Sequence, residues 1–300
     1  MRRIPKIHIA LFVITFLSTL VVGTWHAMNI QLKSFEDIIK FVNFLLADPI
    51  KLYKGLPFSL TLMLILLCHE LAHYIASTKN GVEATLPYFI PAPTVFGTLG
   101  AFIKMKSPIT TRNALMDIGA SGPIAGFVMS VFACAIGLSL SKVVPVAKVT
   151  DEIVFGPSLL FYGMAKLFLG SIPPDSGIAM NPIAFAGWIG FFVTSLNLIP
   201  VGQLDGGHIA YALLGERHGK ISKILIGVLV VMGVLVYEGW IVWAVLLIML
   251  GFRHPPIVYS DIPLDHKRKI VGWLALAIFV VTFTPIPVMV TGLIVAIIIK

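Results

Sequence analysis

Residues 67–74 read Leu67-Cys68-His69-Glu70-Leu71-Ala72-His73-Tyr74, inside an apolar run that covers 56–78. Four residues separate the two histidines, so in a helix they project from one face about one turn apart. Both imidazoles can then reach a single zinc ion, and Glu70 lies on the flank of the same face. From there its carboxylate can take a proton from an activated water. An unpaired glutamate among leucines is costly in an apolar medium, so this run has chemistry to explain.

The surroundings say which medium that is. Hydrophobic residues make up 58% of the 300 residues, charged residues 12%, and the mean hydropathy is +0.96. Soluble domains carry roughly 45–50% apolar and about 25% charged residues. A chain this apolar lacks the polar surface to face water, which excludes a soluble enzyme, a disordered tail and a free nucleic-acid binder. The lipid bilayer is the expected partner and nucleic acid is not. The net charge of +8 comes from Lys and Arg scattered between apolar runs, as the positive-inside bias of membrane loops requires. Cys68 and Cys134 both fall in apolar segments and make no disulfide framework.

Runs of apolar residues near the length a bilayer demands mark spans at 8–28, 56–78, 113–141, 178–198, 221–237, 240–251, 270–283 and 287–299. The expected fold is an all-α polytopic membrane protein with about 6–8 transmembrane helices, the short last four leaving room for a re-entrant pair. The first run follows a basic start without a cleavage site before a soluble domain, and reads as a retained span. Residues 32–46 alternate apolar and charged positions at helical spacing, the pattern of an amphipathic helix at the membrane interface. With the N-terminus cytoplasmic, 15 of the 22 Lys and Arg residues fall in inside loops and 7 in outside loops. Three regions follow: 1–54 with the first span and the amphipathic helix, 55–206 as a core of three helices, and 207–300 with the remaining helices.

A catalytic zinc site needs a third protein ligand, with water as the fourth. Another apolar span ends Asn197-Leu-Ile-Pro200-Val-Gly202-Gln-Leu-Asp205-Gly206-Gly207-His208. Pro200 and Gly202 break the helix, and irregular backbone at a span's edge is tolerated where it lines a site. Asp205 is therefore the best third ligand; the competing reading is an aspartate that caps a following helix. His208 is a lesser candidate because it follows two glycines. Zinc, one aspartate and one hydroxide sum to zero charge, the cheapest state to bury.

His-Glu-Leu-Ala-His in one span, followed by Asn197, Pro200 and Leu204-Asp205-Gly206 in a later one, resembles the site-2 protease family of intramembrane zinc metalloproteases. The likeness extends over about residues 55–275, through Phe96-Gly97-Thr98-Leu99-Gly100-Ala101, Asp117 to Gly126, and Arg253-His254-Pro255-Pro256 with Pro263-Leu264-Asp265. The last stretch is similar to one in members without PDZ domains. The connection at 142–177, some 36 residues, is too short for such a domain, and none is expected after Lys300.

The resemblance implies zinc on His69, His73 and Asp205, with Glu70 as general base and then acid. Asn197 either stabilises the oxyanion or substrate backbone, or bonds a carbonyl freed by Pro200. It also implies a small re-entrant β segment near the active site. Pro87, Pro91 and Pro93 forbid a regular helix there, and Phe96, Gly97, Thr98, Leu99, Gly100 and Ala101 would offer a strand edge to an extended substrate. The expected partners are transmembrane proteins with a regulatory role, cut toward the cytoplasmic side, where Lys79, Lys104, Lys106 and Arg112 lie. The oligomeric state is left open. The rival reading is a metal transporter or metal-binding receptor that uses the same ligands, which would need polar residues across the whole membrane.

Overall fold

The computed structural model describes residues 5–28, 30, 34–145, 153–174, 176–252 and 254–290. Helices dominate: α1 (Lys6–Ala27), α2 (Phe35–Ala47), α3 (Leu56–Lys79), α4 (Arg112–Ser139), α5 (Leu159–Leu169), α6 (Pro182–Asn197), α7 (Asp205–Leu214), α8 (His218–Leu235), α9 (Gly239–Leu250) and α10 (His266–Thr282). Among the described residues, four stretches are long and apolar enough to cross a membrane: Lys6–Ala27, Pro49–Lys79, Arg112–Ser139 and Asp205–Leu235. Their outward faces stay apolar. On α3, Leu60, Leu64 and Ile75 are exposed while His69, Glu70 and His73 are each only 5% exposed. That inversion of the soluble pattern suits lipid outside and chemistry inside.

Helix α4 is the central post, packed against α3, α5, α6, α7 and α10. It starts on a capping bond, Thr111 Oγ1 accepting from the Ala114 N–H at 3.1 Å. Small residues let its neighbours approach. A Cβ on Gly187 of α6 would meet Cys134 Sγ and the α4 backbone, and one on Gly137 of α4 would strike Ala184. Close backbone approach of this kind is how helices bind one another where no water is available to drive them together. Phe58, Leu62, Leu138, Trp188 and Phe191 fill the main core between α3, α4 and α6.

Among the described residues, three two-stranded antiparallel sheets complete the fold. Strands β1 (Tyr88–Pro91) and β2 (Thr98–Phe102) pair Tyr88 with Phe102, Phe89 with Ala101 and Ile90 with Gly100. Helix α1 lies behind this hairpin and holds it at three places. The His8 ring donates to Pro87 O at 3.0 Å, Ser18 Oγ to Gly97 O at 2.6 Å, and the His26 ring to Val95 O at 3.0 Å. The other sheets pair β3 (Lys142–Pro145) with β5 (Ser176–Ala179), and β4 (Ile153–Phe155) with β6 (Val288–Val290).

Several expectations shift. The amphipathic helix begins at Phe35, fixed by a capping box between Ser34 and Asp37. The connection 142–177 holds β3, β4, α5 and β5. The run from 178 opens as strand and becomes helical only at Pro182. At 287–299 a helical span is corrected at its start: Val288–Val290 is a strand, because Pro285 and Pro287 keep the chain extended and β4 offers a partner. Residues 291–299 lie outside the described residues, as do Arg253 and positions 32–33.

Candidate metal centre

The centre is built from three helices. On α3, His69 and His73 sit one turn apart, their rings edge to face and their Nε2 atoms separated by 3.1 Å. His73 Nδ1 lies 2.7 Å from the Ile118 carbonyl of α4. A carbonyl only accepts, so Nδ1 carries the hydrogen and Nε2 presents a lone pair. Asp205 comes from a separate segment. Helix α6 ends at Asn197, the chain turns through Pro200 and Gly202, and α7 opens at Asp205. Gly206 and Gly207 permit that return, since a Cβ on either would collide with carbonyls of residues 198–202. The carboxylate then bridges the imidazoles, Oδ2 at 3.3 Å from His69 Nε2 and Oδ1 at 3.3 Å from His73 Nε2.

One donor atom from each of His69, His73 and Asp205 lies within 4.8 Å of the others, so the group could hold a metal ion. Zinc bonds of about 2.0–2.1 Å give tetrahedral edges of about 3.3 Å. The Nε2–Nε2 separation of 3.1 Å is close to that edge, and each imidazole has one Asp205 oxygen at 3.3 Å, a different oxygen for each. Lone pairs and a carboxylate facing one another at low exposure call for a cation between them. The donor set of two nitrogens and a carboxylate, with a fourth position open, suits catalytic zinc. Glu70 Oε1 lies 3.9 Å from His69 Nε2, beside the cluster rather than in it.

Helix α4 fixes these side chains by contact. A Cβ on Gly122 would overlap the His73 ring, one on Gly126 would press His69 at 3.0 Å, and one on Gly119 would meet His208 Cβ at 2.8 Å. Three glycines on one face of α4 therefore seat three histidines. Pro123, in the same turns, removes one hydrogen bond from the helix ladder.

The donors line a cavity of about 450 Å³. Its opposite wall is the end of β2 and the residues beyond it, Ala101 to Met105, with the Ile103 backbone against Glu70. Asn197 and His208 also face this space. Asn197 Nδ2 sits 3.4 Å from His69 Nε2, within reach of the centre. Of the stretch 96–101, only Ala101 lines the cavity. Phe96 packs toward Trp188, Gly97 rests on α1, and the Thr98 hydroxyl donates to Ile90 O at 2.7 Å, inside the hairpin.

Sequence reasoning missed the Ile118 carbonyl, the seat of α4 glycines, and Arg268. The Arg268 side chain donates to Asp117 Oδ1 at 2.7 Å and Oδ2 at 2.6 Å and also pairs with Asp265, clamping the start of α10 to α4 one residue from Ile118. Both Asp117 and Asp265 stand in quoted stretches, but nothing in one sequence pairs them with Arg268.

Three potential metal donors with a carboxylate beside them, in a protein with four stretches long and apolar enough to cross a membrane, define a candidate metal centre. The chain belongs to Peptidase family M50, whose profile matches residues 57–237. Among curated proteins it is similar to "Probable zinc metalloprotease EGY2, chloroplastic" of Arabidopsis thaliana, 32% identical over 253 residues, covering 82% of this chain and 44% of that protein. It is also similar to "Probable zinc metalloprotease EGY1, chloroplastic" of the same plant, 32% identical over 247 residues, 77% and 43% of the two chains. "Probable zinc metalloprotease EGY3, chloroplastic" of Oryza sativa subsp. japonica is 29% identical over 196 residues, 61% of this chain and 31% of that protein. The chain spans less than half the length of these relatives. No solved structure gives a significant match.

Proposed function

We propose that this protein is an intramembrane zinc metalloprotease that hydrolyses peptide bonds within transmembrane segments of membrane-anchored regulatory proteins. The observation that carries the reading is the Glu70 carboxylate, held beside the His69, His73 and Asp205 donors in a cavity bounded by a strand. A zinc ion held by those three residues would supply Lewis acidity to the carbonyl under attack and would acidify the attacking water. Glu70 takes the proton of that water as its oxygen bonds to the carbonyl carbon, and returns it to the amide nitrogen as the C–N bond breaks. The position of Asn197 Nδ2, 3.4 Å from His69 Nε2, supports a role in holding a substrate carbonyl.

A substrate helix hides its amides in its own hydrogen bonds and must unwind first. The β1–β2 hairpin supports this step. α1 packs behind it, and β2 has β1 as its single strand partner among the described residues, which leaves an edge for an extended segment. In this reading the hairpin is re-entrant, and α6, α9 and α10 join the four long stretches to bring the span count to about 6–8. Lys79, Lys104, Lys106 and Arg112 near the HExxH end support a centre on the cytoplasmic side, with a cytoplasmic N-terminus. A transporter is less well supported, because the buried donors gather at one cavity rather than along a path.

The test uses the wild type and Glu70→Gln in detergent, with metal per chain and cleavage of a transmembrane model substrate as readouts. The variant is expected to keep its zinc and lose about a thousandfold in cleavage rate. Cleavage at the wild-type rate by Glu70→Gln would sink the mechanism.

A further inference from the structure

His208 stands one turn beyond Asp205 on α7 and faces the same cavity, yet the metal centre makes no use of it. Its partner comes from the segment between α9 and α10: His208 Nδ1 lies 2.7 Å from His254 Nε2. That separation is a hydrogen bond, well short of the roughly 3.3 Å edge of a tetrahedral metal site. His254 Nδ1 in turn lies 2.6 Å from Pro255 O. A carbonyl accepts only, so the His254 hydrogen is on Nδ1.

Burial holds the His254 ring down to about 4, with the neighbouring His218 adding to the effect, so at neutral pH it carries that one hydrogen and no more. Its Nε2 is then an acceptor, and His208 Nδ1 must donate to it. With one N–H on its ring, His208 has a bare Nε2, and that atom has no hydrogen-bond partner among the described residues. The polarity of the chain runs outward, from His208 through His254 to Pro255, and leaves a lone pair on the cavity side.

Both rings are held rigidly. Tyr211, three residues after His208 on α7, stacks on His254 with ring centres 4.4 Å apart and planes 22° apart. Gly119 of α4 seats His208 as Gly122 and Gly126 seat the metal-site histidines. A preorganised acceptor in a site for extended peptide has an evident counterpart. A strand presents N–H groups on both edges, and β2 can satisfy only one of them. At membrane depth the N–H groups on the far edge have no water to turn to.

We infer that His208 is a substrate-binding residue whose Nε2 accepts a hydrogen bond from a backbone N–H on the far edge of the extended substrate, and that His254 is the positioning residue that sets its tautomer. The inference rests on the protease reading above and names the second contact that reading lacks.

The experiment compares wild type, His208→Ala, His208→Gln, His208→Asn, His254→Ala and His254→Gln in detergent. Three quantities are read: zinc per chain, kcat and KM on a transmembrane peptide, and affinity of a fluorescent form of that peptide for the same variants built on Glu70→Gln. Zinc should remain at the wild-type level throughout. His208→Ala and His208→Asn should each lose about 10- to 100-fold in kcat/KM and bind the peptide correspondingly more weakly. His208→Gln, whose amide oxygen can reach the Nε2 position, should recover most of the loss. His254→Ala should lose about tenfold and His254→Gln recover, because an amide oxygen can still accept from Nδ1.

A second series replaces single substrate N–H groups near the scissile bond by ester oxygens. One replacement should cost the wild type as much as His208→Ala costs, and cost His208→Ala nothing further. Unchanged kcat/KM and affinity in His208→Ala would overturn the inference, as would lost zinc or ester penalties equal in both proteins at every position. Failure of the parent reading looks different: wild type and Glu70→Gln would then cleave alike or not at all.

Discussion

The cavity has two walls made on different principles. The metal wall of α3, α4 and α7 is set chiefly by van der Waals contact, with glycine faces of α4 pressed on imidazole rings beside the His73–Ile118 hydrogen bond. The strand wall is held from behind by single hydrogen bonds from α1 to the backbone around the hairpin. A contact wall has no room to adjust, since packed interiors respond steeply to an added methyl. A hydrogen-bonded wall can give locally at a cost of about 1 kcal/mol per bond. Ion coordination demands fixed distances, whereas a strand that receives varied sequences benefits from compliance.

The sharpest way to break that contrast is Gly122→Ala. Its methyl would occupy the His73 ring position, so metal per chain should fall below about a tenth of the wild-type value, and cleavage with it. Gly126→Ala is the graded version: His69 must move by a few tenths of an ångström, and metal affinity should drop about tenfold in a chelator competition. Wild-type metal binding in both would show that the wall is not set by contact.

The next effect is on the clamp behind that wall. Arg268→Gln removes the paired donors to Asp117 and the link to Asp265. Denaturant unfolding in detergent should register a loss of about 1–2 kcal/mol. The smallest effect belongs to the other wall. Ser18→Ala deletes the bond to Gly97 O and should leave metal content unchanged while raising KM severalfold. A loss of metal in Ser18→Ala would mean that the two walls are mechanically one.

The metal wall was half legible in the sequence, and the reason lies in what letters record. His69, Glu70 and His73 are read together because helical periodicity converts spacing into position. Asp205 is read because Pro200, Gly202, Gly206 and Gly207 announce a broken helix at a span's edge. The Ile118 acceptor is a backbone atom and leaves no letter at all. Gly119, Gly122 and Gly126 are visible as glycines, but their role depends on which helix crosses α4, a long-range fact.

Of the stretch 96–101 expected at the cavity, Ala101 lines it, and the lining continues through 102–105. Proline and glycine mark where a helix stops, not which residue reaches a cavity. Two further misreadings share a cause. Short apolar runs do not separate strand from helix by periodicity alone, so Val288–Val290 reads as the start of a span. Helix α5, with Phe161, Met164 and Ala165 buried at spacings of three and one, is shorter than a span and passes for a loop.

The length of β2 has a geometric consequence. The strand is five residues long, four of them paired with β1, and a substrate that matches its length exchanges a rise of about 1.5 Å per residue for about 3.3 Å, lengthening by about 9 Å. For a captured segment that runs along the bilayer normal, that extension would displace one end toward the headgroups before any bond is cut. Spin labels flanking a peptide bound to Glu70→Gln should move apart by that distance. The hairpin would then act as a ruler, coupling recognition of a segment to its partial extrusion from the hydrocarbon.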